Sequence, residues 1–413
     1  MLMERFPTHY QDGGAPQRSD VASKTCNPDL YPDLPGIVSD LSEIDRVIAV
    51  ADIHGDLALA IKYLEIPKLI QRVYVETNLT VSMWYKDEPI KRFYEWIGVR
   101  TIVVQVGDQV DRCRPYRKSC RNPDATIDDE ASDLTIMFFY HDLHIAALKA
   151  DCALYSLLGN HEILNVVGKM DYVSHQGLVE FHDKNKKVSD DNITKDRIAA
   201  FKRDSTEQLY KKKSTLVEFL GCARLTSIIV GGYLFMHAGI LPQLINLVHK
   251  RNGADPSNPT DDDKAKIIPT INTAVQQWLL TSYNKEDKEF VDTIIEGREQ
   301  SPFWPRLFGN IKRNLDIETT ECKKLVSPIL AALNVKGVVV GHTPQYKINI
   351  NSTCSSKIWR VDIASSQAFD EVMFDGVTKS STRQKIQAGR KPQVLEIIFS
   401  KGAGIEDQFN VLS

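Results

Sequence analysis

The sequence lacks a long apolar run. Its best stretch, from Ser227 to Phe235, is far shorter than the roughly 18 apolar residues that a membrane-spanning helix requires. Residues 1–14 mix charged and apolar side chains and lack the apolar middle segment of a secretory signal. We therefore expect a soluble, cytoplasmic protein that has no membrane partner.

Charge of one sign is not in excess either. The 413 residues include 51 Lys and Arg and 54 Asp and Glu, which gives a formal net charge of -3 at pH 7. Nucleic-acid-binding domains usually carry a marked basic excess, so this balance argues against a nucleic-acid partner. The charge does not indicate an oligomeric state.

Cysteine is sparse and irregularly spaced. The seven cysteines are odd in number, scattered, and never form a Cys-x-x-Cys pair. This spacing argues against a zinc knuckle and against a disulfide framework. We expect reduced thiols, as is usual in the cytosol.

Six short segments are rich in apolar and β-branched residues, and a helical pattern covers Leu57 to Leu69. Near-continuous apolar runs are typical of strands that are buried on both faces by helices or a second layer, so the sequence predicts an α/β fold. The six segments are Arg46–Ala51, Thr101–Val106, Ala153–Leu158, Ser227–Met236, Val335–Val340 and Lys357–Ile363.

The rest of the sequence predicts a single domain with inserted loops. Residues 1–40 are polar and rich in turn-forming residues, which indicates a loosely packed lead-in. Residues 41–400 are expected to form a single catalytic domain, followed by a tail over 401–413. Three long connections are interpreted as inserted loops: 78–98, 114–133 and 250–266.

Polar side chains follow the predicted strands where each strand ends. Any one of these groups alone is more often a helix cap or a buried structural histidine than a ligand. Their occurrence in order after successive strands favours a site at one edge of the sheets. The residues are Asp52 and His54, then Asp108, Asp111 and Arg112, then Asn160 and His161, and finally His237 and His342.

These segments read ADIHG, GDQVDRC, GNHE, HAG and GHT. The set resembles the calcineurin-like metallophosphoesterases and, within them, the phosphoprotein phosphatases. The segment Ser301-Pro302-Phe303-Trp304-Pro305-Arg306 is similar to one found in the Shewanella-like protein phosphatases. The resemblance implies a four-layer α/β/β/α sandwich of two mixed sheets with helices outside.

The resemblance also implies a role for each site residue. It implies that two divalent metal ions (Mn, Fe or Zn) are the cofactors and that a metal-bridging hydroxide attacks the phosphate in line. Asp52 and His54 would hold the first ion, Asp108 would bridge both, and Asn160, His237 and His342 would hold the second. Arg112, Asn160 and Arg306 would bind the phosphate, and His161 would be the general acid that Asp111 orients.

Three functions stay open at this point. The leading interpretation is a metal-dependent phosphatase whose partner is a phosphoprotein or phosphopeptide, phosphorylated on Ser/Thr or on Tyr. The alternatives are a hydrolase of dinucleoside polyphosphates or other small phosphoesters, and a catalytically silent phosphoprotein-binding scaffold. Pro344 stands where phosphodiesterases of this type have a second histidine, which argues against phosphodiesterase activity.

Cys113 replaces the glycine that usually follows the second motif. We expect the flanking Arg112 and Arg114 to lower the pKa of this thiol, because nearby positive charge stabilises a thiolate. One hypothesis is therefore a redox-sensitive Cys113 that pairs with Cys120. The alternative is a buried, inert thiol.

Overall fold

A computed structural model describes residues 25–73, 93–115, 118–182, 187–203, 215–346, 349–370, 391–402 and 404–413. Residues 78–92 of the first predicted inserted loop lie outside these ranges. The second and third predicted loops, 114–133 and 250–266, are described except for residues 116 and 117.

A five-stranded mixed sheet forms one half of the molecule. β2, β5 and β6 run parallel, β12 pairs antiparallel with β2, and β13 pairs antiparallel with β12 at the edge. Val47 lies opposite Ile102 on one side and Ile397 on the other. The strands are β2 (Arg46–Val50), β5 (Thr101–Gln105), β6 (Ala153–Ser156), β12 (Val394–Ile398) and β13 (Gln408–Leu412).

A six-stranded mixed sheet forms the other half, in the order β1-β7-β8-β9-β11-β10. A separate antiparallel pair, β3 (Ile70–Arg72) with β4 (Tyr94–Trp96), lies outside both large sheets. The strands of the larger sheet are β1 (Ile37–Val38), β7 (Ser227–Val230), β8 (Tyr233–Met236), β9 (Gly337–Val340), β10 (Asn351–Thr353) and β11 (Ile358–Arg360).

Thirteen α-helices occur in the described part of the chain. They are α1 (Leu57–Glu65), α2 (Asp133–Leu148), α3 (Asn160–Val166), α4 (His175–Val179), α5 (Asp190–Phe201), α6 (Leu216–Ala223), α7 (Pro242–Arg251), α8 (Asp261–Ala265), α9 (Ile267–Leu279), α10 (Lys288–Glu296), α11 (Leu307–Asn310), α12 (Thr320–Leu325) and α13 (Ser327–Leu333). Asp56 caps α1, because its side chain accepts a hydrogen bond from the Leu59 amide.

The burial pattern shows how these elements are layered. In β8, Tyr233 and Phe235 belong to a core shared with the five-stranded sheet, while Leu234 and Met236 belong to a second core with α6, α7, α9 and α10. The first core also includes residues of α1 and α2. Because successive strand residues point to opposite faces, this division places two sheets between two helical layers. The predicted four-layer sandwich is confirmed.

Several predicted boundaries change. The run from 227 to 236 is a hairpin of two antiparallel strands, because Gly231 and Gly232 turn the chain at φ +59° and +86°. Within the predicted lead-in, Tyr31 is buried and β1 pairs with β7. Residues 408–412 of the predicted tail form β13, which pairs with β12 at the edge of the sheet.

The expectation of reduced thiols is also wrong. Six of the seven cysteines form disulfides, Cys26–Cys222, Cys113–Cys120 and Cys322–Cys354, and only Cys152 is free. The partners are 196, 7 and 32 residues apart in sequence, so linear spacing could not reveal proximities that the fold creates. Cys113 and Cys120 do pair, and their redox sensitivity stays a prediction.

Across the described ranges, no helix combines the length and apolarity needed to cross a lipid bilayer.

Burial between the two sheets predicts that one substitution, valine to alanine, changes the free energy of unfolding very differently at two positions. Val339 of β9 is fully buried in the shared core, whereas Val99 is 72% exposed. Val339→Ala should lower the free energy of unfolding by roughly 2–3 kcal/mol through lost burial and a residual cavity. Val99→Ala should change it by less than about 0.5 kcal/mol. Urea unfolding measures both values, and equal losses would contradict the assignment of Val339 to the core.

Candidate functional site

The site lies where strands of both large sheets end. Asp52 follows β2, Asp108 follows β5, Asn160 begins α3 after β6, and His237 and His342 follow β8 and β9. All five residues are at most 6% exposed. The two sheets are connected here, since the His237 ring nitrogen Nδ1 lies 2.9 Å from the Val106 carbonyl oxygen of the other sheet.

Asp108 is the residue at which the loops meet. Its carbonyl oxygen accepts hydrogen bonds from the amides of Ile53 and His54, each at 2.9 Å. Its carboxylate oxygen Oδ1 accepts one from the His161 amide at 2.9 Å. A Cβ at Gly159 would lie 2.1 Å from that same Oδ1, so only glycine permits this approach. These contacts join the first three motifs into one unit.

One group of potential ligand atoms surrounds the Asp108 oxygen Oδ2. Nε2 of His54 lies 3.7 Å from it and Nε2 of His161 lies 3.8 Å from it. The Asp52 oxygen Oδ2 lies 3.9 Å from the same His54 nitrogen. The structure therefore brings Asp52, His54 and Asp108 together as the sequence predicts, with His161 beside them.

A second group surrounds the other Asp108 oxygen, Oδ1. Nε2 of His237 is 3.4 Å from it. The Asn160 side-chain oxygen lies 2.9 Å from that nitrogen and 2.8 Å from Nδ1 of His342. Asp108 thus belongs to two clusters, His54–Asp108–His161 and Asp108–His237–His342. Within each cluster, the potential ligand atoms all lie within 4.8 Å of one another.

The ring orientations fit divalent metal ions. The outer nitrogens of His54 and His237 face the carbonyl oxygens of Val110 and Val106, at 3.3 and 2.9 Å. A carbonyl there selects the tautomer whose outer nitrogen carries the hydrogen, which leaves the inner lone pair directed at Asp108. Several oxygen and nitrogen acceptors then converge on the same two volumes. Such a donor set suits ions that accept mixed oxygen and nitrogen ligands.

The titration behaviour reflects the same crowding. Burial and the neighbouring Asp362 carboxylate raise the pKa of Asp52 well above its usual range. Burial lowers the pKa of His237, but the Asp108 and Asp52 carboxylates outweigh it and raise that pKa to about 9. In the metal-free protein a proton on His237 therefore compensates part of the buried negative charge.

His161, a member of the first cluster, also pairs with Asp111. Nδ1 of His161 lies 2.8 Å from the Asp111 oxygen Oδ2, and Asp111 is completely buried. The carboxylate holds the ring so that Nε2 faces Asp108 and the volume between the clusters. This is the arrangement in which an imidazole donates a proton from Nε2 while a carboxylate stabilises its charged form.

The predicted phosphate-binding arginines differ in exposure. Arg112 is buried and donates to the Gly55 carbonyl, to Glu130 and to Gln367, at 2.9, 2.7 and 2.6 Å. Its Nε has no hydrogen-bond partner in the described part of the chain. Arg306 is exposed and donates to the His342 carbonyl at 3.0 Å, which places it at the rim of the second cluster.

Four further residues support the site, and the sequence analysis assigned none of them a role. Glu162 accepts hydrogen bonds from the amides of Asp108, Gln109 and Gly159, and so fixes two motif loops. Arg114 places Nη2 2.7 Å from Nε2 of His54. Asp362 is buried after β11, and one of its carboxylate oxygens has no partner among the described residues. Its place after a buried strand was the available signal. The fourth, Arg197, lies on α5, and no motif marks it.

Comparison with known proteins agrees with the class that this fold and site define, a metal-dependent phosphatase. The model of the calcineurin-like phosphoesterase family matches residues 45–346, which is more than half of the chain. The chain belongs to the calcineurin-like phosphoesterase family.

Individual relatives support the branch that the motifs indicate. An uncharacterized protein of Acanthamoeba polyphaga mimivirus is 32% identical over 57% of this chain and 89% of its own length. Shewanella-like protein phosphatase 2 of Arabidopsis thaliana is 24% identical over 78% of this chain and 72% of its own length. The crystal structure of a cold-active protein-tyrosine phosphatase from a Shewanella species shares the fold, with a TM-score of 0.52 at 16% identity, over 91% of this chain and 81% of that one. The expected resemblance to Shewanella-like phosphatases is confirmed.

The buried Asp362 carboxyl predicts a pH-dependent stability difference in metal-free protein. Burial, partly offset by the Ala364 amide, raises its pKa to about 6. The native protein keeps this proton up to that pH, while the unfolded chain loses it at about pH 4. Stability that Asp362 contributes at low pH is thus lost as the pH rises. Wild type should lose roughly 3 kcal/mol relative to Asp362→Asn between about pH 4 and 7.

Urea unfolding of chelator-treated protein at several pH values measures this difference, with Asp124→Asn at an exposed side chain as the control. Parallel pH profiles for wild type and Asp362→Asn would show that the pKa of Asp362 is not raised.

Proposed function

We propose that this protein is a dinuclear-metal phosphomonoesterase that hydrolyses phosphoproteins phosphorylated on Ser/Thr or on Tyr. The observation that carries the proposal is the position of Asp108, whose two carboxylate oxygens each face a separate group of ligand atoms. His161, whose Nε2 faces Asp108 in the first group, is paired with Asp111. A shared carboxylate and an adjacent acid are what hydrolysis of a phosphate ester requires.

Six buried residues would hold the two ions. Asp52, His54 and Asp108 surround the first position, and Asp108, Asn160, His237 and His342 surround the second. Divalent ions such as Mn, Fe or Zn supply a water acidic enough to attack near neutral pH and positive charge that offsets the phosphate oxygens. These six residues are at most 6% exposed, which would keep both positions fixed and largely shielded from bulk solvent.

His161 is the proposed general acid. Its Nδ1 hydrogen is held by Asp111, so the proton available to the substrate is on Nε2. That nitrogen lies 3.8 Å from Asp108 and therefore beside both candidate metal positions. Donation of the Nε2 proton to the ester oxygen lets the leaving group depart as a neutral alcohol or phenol rather than as an oxyanion.

Arg112, Arg306 and the Asn160 amide are proposed to bind the phosphate oxygens. A guanidinium matches two oxygens of one phosphate through parallel hydrogen bonds. Arg112 has a buried Nε without a partner in the described ranges, and Arg306 lies on the rim beside the His342 carbonyl. Arg112 would therefore contact the phosphate from the interior of the site, and Arg306 would contact it from the exposed rim.

A protein substrate is supported by the relatives and by two aromatic rings. Shewanella-like protein phosphatase 2 is named for that activity, and the Shewanella enzyme is titled a protein-tyrosine phosphatase. The rings of Tyr172 and Phe369 lie 5.0 Å from His161 and 5.4 Å from His54. These rings would give an aryl leaving group apolar partners, so phosphotyrosine belongs among the substrates to be tested.

We propose an oxidising compartment rather than the cytoplasm expected from the sequence. Three disulfides among seven cysteines are rare where glutathione and thioredoxin keep thiols reduced. Alkylation of thiols in freshly lysed cells, followed by mass analysis, would distinguish the two compartments.

Turnover of phosphopeptides tests the proposed function. With Mn²⁺ present, wild type should hydrolyse a phosphoserine or a phosphotyrosine peptide, and a chelator should abolish the activity. His161→Asn should lower kcat by about 10²–10⁴-fold, which is the usual contribution of a general acid. His175→Asn is the control, because that ring lies near the Arg121 carbonyl at the surface.

Two outcomes favour the alternatives. Hydrolysis of a dinucleoside tetraphosphate without peptide hydrolysis would assign a small phosphoester as substrate. Bound metal without turnover of any substrate would identify a silent phosphoprotein-binding scaffold.

A further inference from the structure

Arg197 is a completely buried arginine in the interior behind His161. It lies on α5, a helix outside all of the motifs. All three guanidinium nitrogens are engaged: Nε donates to the Asn165 side-chain oxygen, Nη1 to the Gly177 carbonyl and Nη2 to Asp133, each at 2.8 Å. Removing a charged guanidinium from water is costly in free energy, so there should be a reason why this arginine is buried with a full set of partners.

The contacts of Asp111 supply that reason. Its oxygen Oδ2 faces Nδ1 of His161 at 2.8 Å, and its oxygen Oδ1 accepts from Asn165 at 2.8 Å and from Nη2 of Arg197 at 3.3 Å. Rotation of a carboxylate about its last torsion is soft unless both oxygens are held. The donors on Oδ1 therefore decide which oxygen faces His161 and at what angle.

Arg197 also holds the second of these donors. The Asn165 oxygen accepts from Nε of Arg197, which turns the Asn165 amide group toward Asp111. The same amide group contacts the His161 carbonyl at 2.9 Å. One guanidinium thus fixes Asp111 directly and through Asn165.

Charge gives Arg197 a second effect on the pair. Asp111 and Asp133 are both buried, and Nη2 of Arg197 lies within 3.3 Å of a carboxylate oxygen of each. The rings of Phe181 and Phe201 lie 4.8 and 5.1 Å from the guanidinium carbon and close off this region. Arg197 therefore places a positive charge beside two buried carboxylates and offsets their mutual repulsion.

We propose that Arg197 is a positioning residue that acts through Asp111 to orient His161 for proton donation to the leaving group. The inference rests on the proposed function. In the step concerned, the oxygen of a water molecule bonds to phosphorus, and the phosphorus–oxygen bond to the leaving group breaks as His161 transfers its Nε2 proton to the departing oxygen. Arg197 keeps its own protons and does not touch the substrate.

The test compares two substrates that differ in their need for an acid. Phenyl phosphate has a basic leaving group that requires protonation, whereas 2,4-dinitrophenyl phosphate has a leaving group that departs without it. With Mn²⁺ present, Arg197→Met should lower kcat for phenyl phosphate by about 10–100-fold. It should lower kcat for the dinitrophenyl ester by less than about 3-fold, with KM and bound manganese per chain unchanged.

Three further variants provide the comparison. Arg203→Met is the control, because this arginine stacks on Trp278 at 4.7 Å beyond the end of the same helix and contacts none of these residues. Arg197→Lys keeps the charge and should restore part of the lost kcat. In a His161→Asn background, Arg197→Met should cause no further loss, because the two residues act in one step.

Equal losses on both substrates, or a further loss in the His161→Asn background, would assign Arg197 a structural role only. An Arg197→Met chain that does not fold leaves Asn165→Ala as the second variant, since it also removes a donor to the Asp111 oxygen Oδ1. It should show the same selective loss on phenyl phosphate, and an unselective loss there contradicts the proposal. Failure of wild type to hydrolyse either ester would instead contradict the proposed function.

Discussion

The loops that carry the sequence motifs meet at Asp108, and their arrangement depends on its buried carboxylate. Its backbone carbonyl receives two amides of the first motif, its own amide is held by Glu162, and its side chain faces the histidines of four other segments. This position requires left-handed backbone at Asp108, at φ +54°, and a glycine at residue 159. Non-glycine residues in that region cost roughly 1 kcal/mol or more each, so the surrounding sheets must supply the stability.

Burial of charge shapes the molecule as strongly as burial of apolar surface. The two sheets enclose an apolar core, yet their strand ends hold acidic and imidazole groups that are almost inaccessible to solvent. Raised pKa values at Asp52 and Asp362 show that the metal-free site cannot readily hold all of its negative charge. Cations bound at this site would compensate the buried negative charge, which connects the raised pKa values to the proposed chemistry.

The layered fold could be predicted because its strands are short, continuous and apolar. The runs that became β2 and β5 stand out by composition alone, and each ends at a polar motif. Partners distant in sequence were not visible. Nothing local pairs Cys26 with Cys222, or places β13 beside β12, because both depend on the finished fold. The site was predictable where family motifs mark it, whereas Arg197 lies on a helix with no motif.

The most direct test of the account is the number of metal ions bound per chain. The shared carboxylate predicts that wild type, loaded with Mn²⁺ and freed of excess metal, holds two ions per chain by elemental analysis. Asp108→Asn keeps the size and the backbone contacts but removes the bridging charge, and it should hold at most one ion. If Asp108→Asn retained two ions with unchanged affinity, Asp108 could not be the residue that both metal positions share.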